Sequence, residues 1–265
     1  MSPSHTPRQT VRVVAYSLAE CGFDPRKTIK FIRGFSTYWW QLFQYAQKNR
    51  QVDSPVQIRS LFPCITDRYE NAGRLDRHYF HQDLWASRKV YQRQPEHHID
   101  VGSRIDGFIT HLLTFREVEV LDVRQLDALV SGMSFRQADL MQVADVPSDI
   151  CDSISCLHAI EHFGLGRYGD PIDPEGHLKG LQSINKLLKS GGTLLLSAPI
   201  GREQVAFNAH RVFAPETLPS ILKEHYDLVS YSYVDDAGCF YEDADIAQTP
   251  ELSYGCGMYE LKKCA

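Results

Sequence analysis

The feature that most constrains this 265-residue chain is a regular alternation of strand-like and helix-like segments after residue 96. Short apolar runs, such as HHIDVGS, EVEVLDVR, DSISCLHA and TLLLSAPIG, are separated by helical patterns such as IDGFITHLLTF and PEGHLKGLQSINKLLKSGG, the latter closed by Gly191 and Gly192. Such alternation is typical of a mostly parallel sheet covered on both faces by helices. We predict an α/β fold over residues 96–265: a Rossmann-like, doubly wound, mostly parallel seven-stranded sheet.

Residues 1–95 have a different character, being helical and rich in aromatic side chains. Asp24 is a predicted N-cap, with Pro25 at the first helical position of DPRKTIKFIRGFSTYWWQLFQYAQKN. A second helix is predicted in HYFHQDLWASRKVYQRQ. Because these helices carry so many large aromatic residues, we expect residues 1–95 to form a helical cap packed on the core, near the acceptor.

Composition limits the functional class and the location. The net charge of −5 and the pI near 6.1 argue against a nucleic-acid binder that relies on a broad basic surface. The seven cysteines are odd in number and form no CxxC pair, which favours reduced thiols over a disulfide framework. Without a signal peptide or an apolar run that could span a bilayer, a cytoplasmic protein is expected. The oligomeric state is open, with a homodimer as one option.

Three turns that follow strands carry the candidate nucleotide-binding residues. Asp100 and Gly102 begin a loop of the form D-x-G-x-G-x-G, although Arg104 and Asp106 replace the later glycines. An acid at the position of Asp122, after the next strand, can accept both hydroxyls of a ribose, in NAD or in S-adenosylmethionine (SAM). The candidate cofactor-binding residues are Asp100, Gly102, Ser103, Asp122, Asp139 and Leu140.

The departures in the first loop favour SAM over a dinucleotide. A pyrophosphate needs close approach of a glycine-rich backbone, whereas SAM carries no phosphate and tolerates Arg104 and Asp106. In SAM enzymes an acid at the place of Asp139 meets the adenine amino group. Residues 96–216 resemble a class I SAM-dependent methyltransferase.

A closer resemblance lies in HYFHQDLWASRKV followed by HIDVGSRIDGF. These segments are similar to a methyltransferase-like family that is filed as a domain of unknown function. Bacterial members of that family often look tied to surface-polysaccharide synthesis. The resemblance therefore implies a sugar or glycan acceptor.

The segment HAIEH, with His158, Glu161 and His162, matches the HxxEH pattern of some zinc hydrolases. Those enzymes place the motif on a long helix, but here a predicted strand precedes it and Gly164 and Gly166 follow it. A turn at the end of the fourth strand, facing the transferred methyl group, is the better prediction. His158 or His162 is then a candidate general base.

A metal site is the alternative for the same motif. Hen-type small-RNA 2′-O-methyltransferases resemble this chain in having E-x-x-E-H and a later histidine, which corresponds to His210 in HRVF. His158 stands in place of the first glutamate, which disfavours Mg²⁺. The resemblance implies a divalent ion at this position, and the three imidazoles and one carboxylate of His158, Glu161, His162 and His210 would suit Zn²⁺, Mn²⁺ or Fe²⁺ better.

The function that the sequence favours is SAM-dependent O-methylation of a hydroxyl on a sugar, a glycan or another small molecule. HYFHQDLW and the loop GRYGDPIDPEGH are candidate borders of the acceptor pocket. Two alternatives stay open: a catalytically silent binding subunit of a glycan assembly complex, and a nicotinamide oxidoreductase. The second is disfavoured by the missing phosphate-loop glycines.

Overall fold

A computed structural model describes residues 7–54, 56–70, 73, 75–127 and 130–265. The chain divides between residues 74 and 75 into two compact units. This division falls before the predicted boundary at residue 95, because the helix that spans Arg77–Arg93 packs within the second unit. None of the described helices is long and apolar enough to cross a membrane.

The first unit contains helices α1 (Pro7–Glu20) and α2 (Pro25–Asn49). The predicted start of α2 is confirmed: the Lys27 amide donates to Asp24 Oδ1 over 3.3 Å, and Pro25 is the first helical residue. Within this unit Ile65, 4% exposed, packs on Gly34 of α2.

The second unit is built on ten strands among the described residues. They are β1 (His98–Val101), β2 (Val118–Asp122), β3 (Met133–Gln137), β4 (Cys151–Leu157), β5 (Leu188–Ile200), β6 (Gln204–Ala206), β7 (His210–Val212), β8 (Tyr226–Val234), β9 (Phe240–Tyr241) and β10 (Gly255–Lys263). Eight of them form one sheet in the order β3-β2-β1-β4-β5-β10-β8-β9, and β6 and β7 form a separate hairpin.

The main sheet confirms the predicted fold class. Five strands are parallel to one another, in the order β3, β2, β1, β4 and β5, whereas β10 runs antiparallel to both β5 and β8. The sheet has eight strands instead of the predicted seven, because the two-residue β9 pairs with the end of β8.

Helices cover both faces of this sheet. On one face, α3 (Arg77–Arg93) lies with a π-helical turn, Ile105–Ile109, that continues into α4 (Thr110–Leu112). Their buried side chains include Trp85, Phe108 and Leu112. The other face is covered by α5 (Gly176–Leu187) and α6 (Thr217–Leu222).

Helix α5 ends earlier than predicted. Its pattern was expected to run to Gly191 and Gly192, but Leu188 already pairs with Cys151 of β4. Backbone pairing with the sheet therefore ends the helix at Leu187. Gly191, with a φ of 72°, lies in the irregular stretch before regular pairing resumes at Thr193.

Helix α3 is attached to the sheet by a buried ion pair as well as by apolar contacts. Glu260 of β10 is 1% exposed; it accepts a hydrogen bond from Arg93 and lies 3.1 Å from the Lys89 ammonium. Although burial acts in the opposite direction, Arg93 and Lys89 hold the pKa of Glu260 below its ordinary value.

This attachment predicts the outcome of truncation. A chain that begins at residue 96 loses α3, which exposes the apolar side chains packed against Trp85 and removes both cations of Glu260. Loss of one large buried aromatic side chain such as Trp85 alone costs about 3–5 kcal/mol, a large part of the stability of many domains. We expect no cooperative thermal transition for residues 96–265, measured by circular dichroism. The control, residues 75–265, should melt cooperatively; equal melting of both fragments would contradict the prediction.

Candidate functional site

A cavity lies at the carboxyl ends of β1, β2 and β4, which share one edge because these strands are parallel. Ligands of open α/β sheets bind at this edge. Six of the residues singled out in the sequence line it: Gly102, Asp122, Asp139, Leu140, His158 and His162. The predicted GRYGDPIDPEGH loop contributes Tyr168 and Asp170 to the same lining.

The first loop depends on a glycine at residue 102. Gly102 has a φ of +68°, which L-residues other than glycine adopt rarely, and its amide donates to Leu121 O over 2.9 Å. A Cβ at this position would meet the Ala159 Cβ at 3.1 Å. The loop backbone can therefore lie close to β4 and leave the cavity open.

Asp100 lies beneath this loop and is fully buried. One carboxylate oxygen accepts from the Ser103 amide at 3.0 Å; the other accepts from the hydroxyls of Ser103 and Ser155 at 2.7 and 2.6 Å. Burial raises the pKa of Asp100 to about 6. In this arrangement Asp100 and Ser103 stabilise the turn that shapes the cavity.

Asp122 ends β2 at the cavity and is paired with Arg124. The guanidinium Nε and Nη2 of Arg124 lie 3.0 and 2.7 Å from the two oxygens of Asp122, and the guanidinium carbon lies 4.4 Å from the centre of the Tyr168 ring. The carboxylate that was predicted to bind a ribose therefore forms an ion pair with Arg124 of the same chain. Arg124 was not predicted as a site residue, although its place two residues after Asp122 was a visible signal.

Asp139 lies in the turn after β3, with Leu140 beside it. Its oxygens accept from the Met141 amide at 2.9 Å and from the Gln142 side chain at 3.2 Å. Leu140 is 3% exposed and gives the cavity an apolar wall. Asp139 and Leu140 thus line the same cavity as Asp122.

The HAIEH segment forms a turn at the end of β4, and the long helix of a zinc hydrolase is absent from this described segment. His158 has a φ of 50°, and Ile160–His162 is one turn of 3₁₀-helix. Positive φ in a non-glycine residue is strained and must be held by its surroundings. Here the His158 amide donates to the Ser197 carbonyl over 3.1 Å.

His158 and Glu161 form a buried pair. Nδ1 of His158 lies 2.7 Å from Oε1 of Glu161, and the two residues are 7% and 1% exposed. Burial lowers the pKa of His158, but Cys256 and Glu161 outweigh it and raise that pKa above its ordinary value. In the metal-free pair, Cys256 and Glu161 therefore favour the protonated form of His158.

His162 has a different environment. Its Nδ1 lies 2.6 Å from the carbonyl oxygen of Ala209, so Nδ1 carries the proton and Nε2 has a free lone pair. Nε2 lies 3.7 Å from Glu161 Oε1. Burial lowers the pKa of His162 below its ordinary value. A neutral imidazole at the cavity wall is suited to act as a general base.

The hairpin of β6 and β7 brings His210 to the same region. Its ring centre lies 5.0 Å from that of Tyr254, which in turn lies 5.3 Å from the ring centre of His78. Arg211, the next residue, is 5% exposed and donates to the Phe163 carbonyl over 2.6 Å. The hairpin is thereby attached to the segment that follows HAIEH.

The predicted metal ligands are not the group that the structure brings closest together. Among the described residues, the one set of three His, Cys, Asp or Glu side chains with all ligand atoms within 4.8 Å of one another is His78, His158 and Cys256. It shares only His158 with the predicted set. His78 belongs to the HYFHQDLW segment, which does reach the site; Cys256 was missed because no local pattern marks it.

The chain belongs to the family described as Caenorhabditis protein of unknown function, DUF268, whose model matches residues 109–249. No curated protein sequence matches the chain.

Solved structures show the same fold as this chain at low sequence identity. The N-methyltransferase NodS from Bradyrhizobium japonicum WM9, in complex with S-adenosylhomocysteine, is 15% identical with a TM-score of 0.50 over 83% of this chain and 98% of NodS. A putative sarcosine dimethylglycine methyltransferase from Galdieria sulphuraria is 12% identical with a TM-score of 0.51, over 69% of this chain and 86% of its own. The cyclase SpnF is 15% identical with a TM-score of 0.50, over 78% and 85%. The fold is that of class I SAM-dependent methyltransferases.

Proposed function

We propose that the protein is a SAM-dependent O-methyltransferase that acts on a hydroxyl of a sugar or glycan. The observation that carries this proposal is the position of His162. Its free Nε2 lies on a cavity that also presents Asp122 and Asp139. A neutral base next to the candidate nucleoside-binding acids is what proton removal from an acceptor hydroxyl requires.

The residues present fit the cofactor. Gly102 leaves room where a Cβ would contact Ala159, Asp122 offers two carboxylate oxygens to ribose hydroxyls, and Asp139 with Leu140 forms the next wall. When bound, SAM supplies an electrophilic methyl group on a sulfonium. Arg124 must move from Asp122 for both ribose hydroxyls to be accepted there.

The division of labour between the two histidines follows from their hydrogen bonds. His162 would accept the hydroxyl proton at Nε2 while its Nδ1–H stays hydrogen-bonded to Ala209. The acceptor oxygen would gain the methyl group as the C–S bond breaks, with S-adenosylhomocysteine as the leaving group. His158 gives Nδ1 to Glu161, and its raised pKa disfavours the neutral form that a base requires. Holding acceptor and methyl group in line supplies much of the remaining rate enhancement.

The walls near His158 favour a polar acceptor with apolar faces. The Tyr79 ring centre lies 5.2 Å from that of His158, and Tyr168 faces His162 at 5.5 Å in an edge arrangement. Aromatic faces beside polar groups suit a sugar ring, which has C–H faces and hydroxyl edges. The sugar itself is suggested by the family resemblance to proteins of surface-polysaccharide synthesis.

Two further aspects belong to the same proposal. All seven cysteines are free, which suits a reducing, cytoplasmic compartment. No metal is assigned to His162, because its Nδ1 is hydrogen-bonded to Ala209 and its Nε2 is needed as the base. None is assigned to His210, which lies outside the group of closely spaced ligand atoms found among the described residues.

Cofactor binding tests the proposal directly. In isothermal titration calorimetry the protein should bind S-adenosylhomocysteine and should give no heat with NAD. This difference is expected because the first loop lacks the later glycines that a pyrophosphate needs. Absence of binding at millimolar S-adenosylhomocysteine, or preferential binding of NAD, would remove the basis of the proposal.

The pairing of Arg124 with Asp122 favours a second candidate function. If Arg124 never leaves the carboxylate, the cavity stays closed to a nucleoside, and the protein would be a catalytically silent binding subunit of a glycan assembly complex. The cyclase SpnF shares this fold, which illustrates that a fold does not fix the activity. Failure of the unchanged protein to bind S-adenosylhomocysteine, with binding gained in Arg124→Ala, would favour this candidate.

A further inference from the structure

Three side chains that are far apart in the sequence meet beside the cavity. They are His78 of α3, His158 after β4 and Cys256 of β10, and one ligand atom of each lies within 4.8 Å of the others. His158 and Cys256 are 7% and 0% exposed, and His78 is half-buried. Imidazole nitrogen and thiolate sulfur are donors that suit Zn²⁺.

The hydrogen bonds of the two histidines are those expected of metal ligands. A ligating histidine usually gives its second ring nitrogen to a carboxylate or a backbone carbonyl, which fixes the orientation of the ring. His158 gives Nδ1 to Glu161 at 2.7 Å, and His78 hydrogen-bonds the backbone of Tyr254. Glu161 thus holds the His158 ring through Nδ1, and the Tyr254 backbone holds the His78 ring.

The second ring nitrogen of His158 bears on the same cluster. Nε2 of His158 is buried and makes no hydrogen bond of normal geometry among the described residues, while the Cys256 side chain interacts with the His158 ring. Buried polar atoms without a partner are uncommon in folded proteins, and each requires an explanation, such as a bound ion. Because Nδ1 is already used by Glu161, Nε2 is the atom directed toward the cluster.

We propose that His78, His158 and Cys256 bind Zn²⁺, with Glu161 orienting His158 from behind. Three protein ligands leave a fourth coordination position open, as in zinc sites that bind water or a substrate atom. The proposal goes beyond methyl transfer and does not depend on it. It also differs from the predicted set, because His162 and His210 remain outside the site.

The test measures zinc directly on the full-length protein with its affinity tag removed. Elemental analysis should find one zinc per chain, and added Zn²⁺ should restore it after chelation. Replacement by Co²⁺ should give a thiolate-to-cobalt charge-transfer band, which reports a cysteine ligand without any assay of activity. Zinc no higher than in the buffer, together with no binding of added Zn²⁺ at micromolar concentration, would overturn the proposal.

Variants separate this ligand set from the other candidates. Cys256→Ser should abolish the cobalt band, and His78→Gln should reduce zinc affinity by more than the roughly 10–100-fold expected for Glu161→Gln, which removes only an orienting group. Cys151→Ser is the matched control, a buried thiol on β4 outside the cluster, and should keep both zinc and band. His162→Gln and His210→Gln should keep them as well.

The opposite pattern is equally decisive. Zinc retained in Cys256→Ser and His78→Gln but lost in His162→Gln or His210→Gln would assign the metal to the predicted set. Thermal melts show whether each variant is folded. If Cys256→Ser does not fold, the zinc content of His78→Gln, which changes a half-buried residue of α3, decides between the two ligand sets. S-adenosylhomocysteine binding is measured in parallel. Zinc binding without S-adenosylhomocysteine binding would support the zinc site and contradict the proposed methyltransferase function.

Discussion

His162→Ala should lower kcat by about 10²–10⁴-fold, the usual contribution of a positioned general base. The reaction needs the neutral form, so the rate should rise with pH through the His162 pKa and then level off. Because burial lowers that pKa, the rising limb should lie below the ordinary histidine value of about 6.5. A pH–rate profile from about pH 4.5 to 8 measures both effects, and the limb should vanish in His162→Ala.

The control for this experiment is a histidine far from the cavity. His97 lies at the amino-terminal side of β1, where its ring contacts Ile150 and Glu119. His97→Gln should leave kcat and the rising limb of the pH–rate profile unchanged. S-adenosylhomocysteine affinity should be similar in His162→Ala and the unchanged protein. Full activity in His162→Ala, with the limb lost instead in His158→Ala, would transfer the role of base to His158.

Asp122→Ala should weaken S-adenosylhomocysteine binding by roughly tenfold to a hundredfold. Loss of a charged acceptor of hydrogen bonds costs about 1.5–3 kcal/mol, which corresponds to that range of dissociation constants. The Asp122 side chain is 16% exposed and bonds mainly to Arg124, so the thermal midpoint should change little. Calorimetry and a thermal melt provide the two measurements.

Arg124 gives this prediction its matched variant. Arg124→Ala leaves the Asp122 carboxylate in place and removes the cation that competes for it, so affinity should rise. Asp145→Ala, in a turn outside the cavity lining, should have no effect. Unchanged affinity in Asp122→Ala would show that the nucleoside, if bound, does not use this carboxylate.

Much of the fold was predictable from the sequence because the strands that alternate with helices carry strong apolar patterns. Three details were not. β6 and β7 are three residues each, too short for a periodic pattern, and α5 ends at Leu187 because Leu188 pairs with β4. The packing of α3 on the sheet involves the ion pair of Lys89 with Glu260, two residues that are far apart in the sequence.

The candidate site was predictable where its residues follow strands. Gly102, Asp122, Asp139 and the HAIEH turn come together because parallel strands deliver their carboxyl ends to one edge. His78 and Cys256 reach this edge from α3 and from an antiparallel strand, and no spacing rule connects them. The roles of His158 and His162 likewise depend on their hydrogen bonds to Glu161 and Ala209. The motif alone does not indicate which histidine bonds to which partner.

The antiparallel strand in the middle of the sheet has a consequence for biosynthesis. β10 follows every other described strand along the chain, yet it pairs with β5 on one side and β8 on the other. During translation, β5 and β8 are made first and must remain as two open strand edges until the ribosome releases Gly255–Lys263. Open edges pair readily with other chains, so this interval is when the nascent protein is most prone to aggregate and most dependent on chaperones.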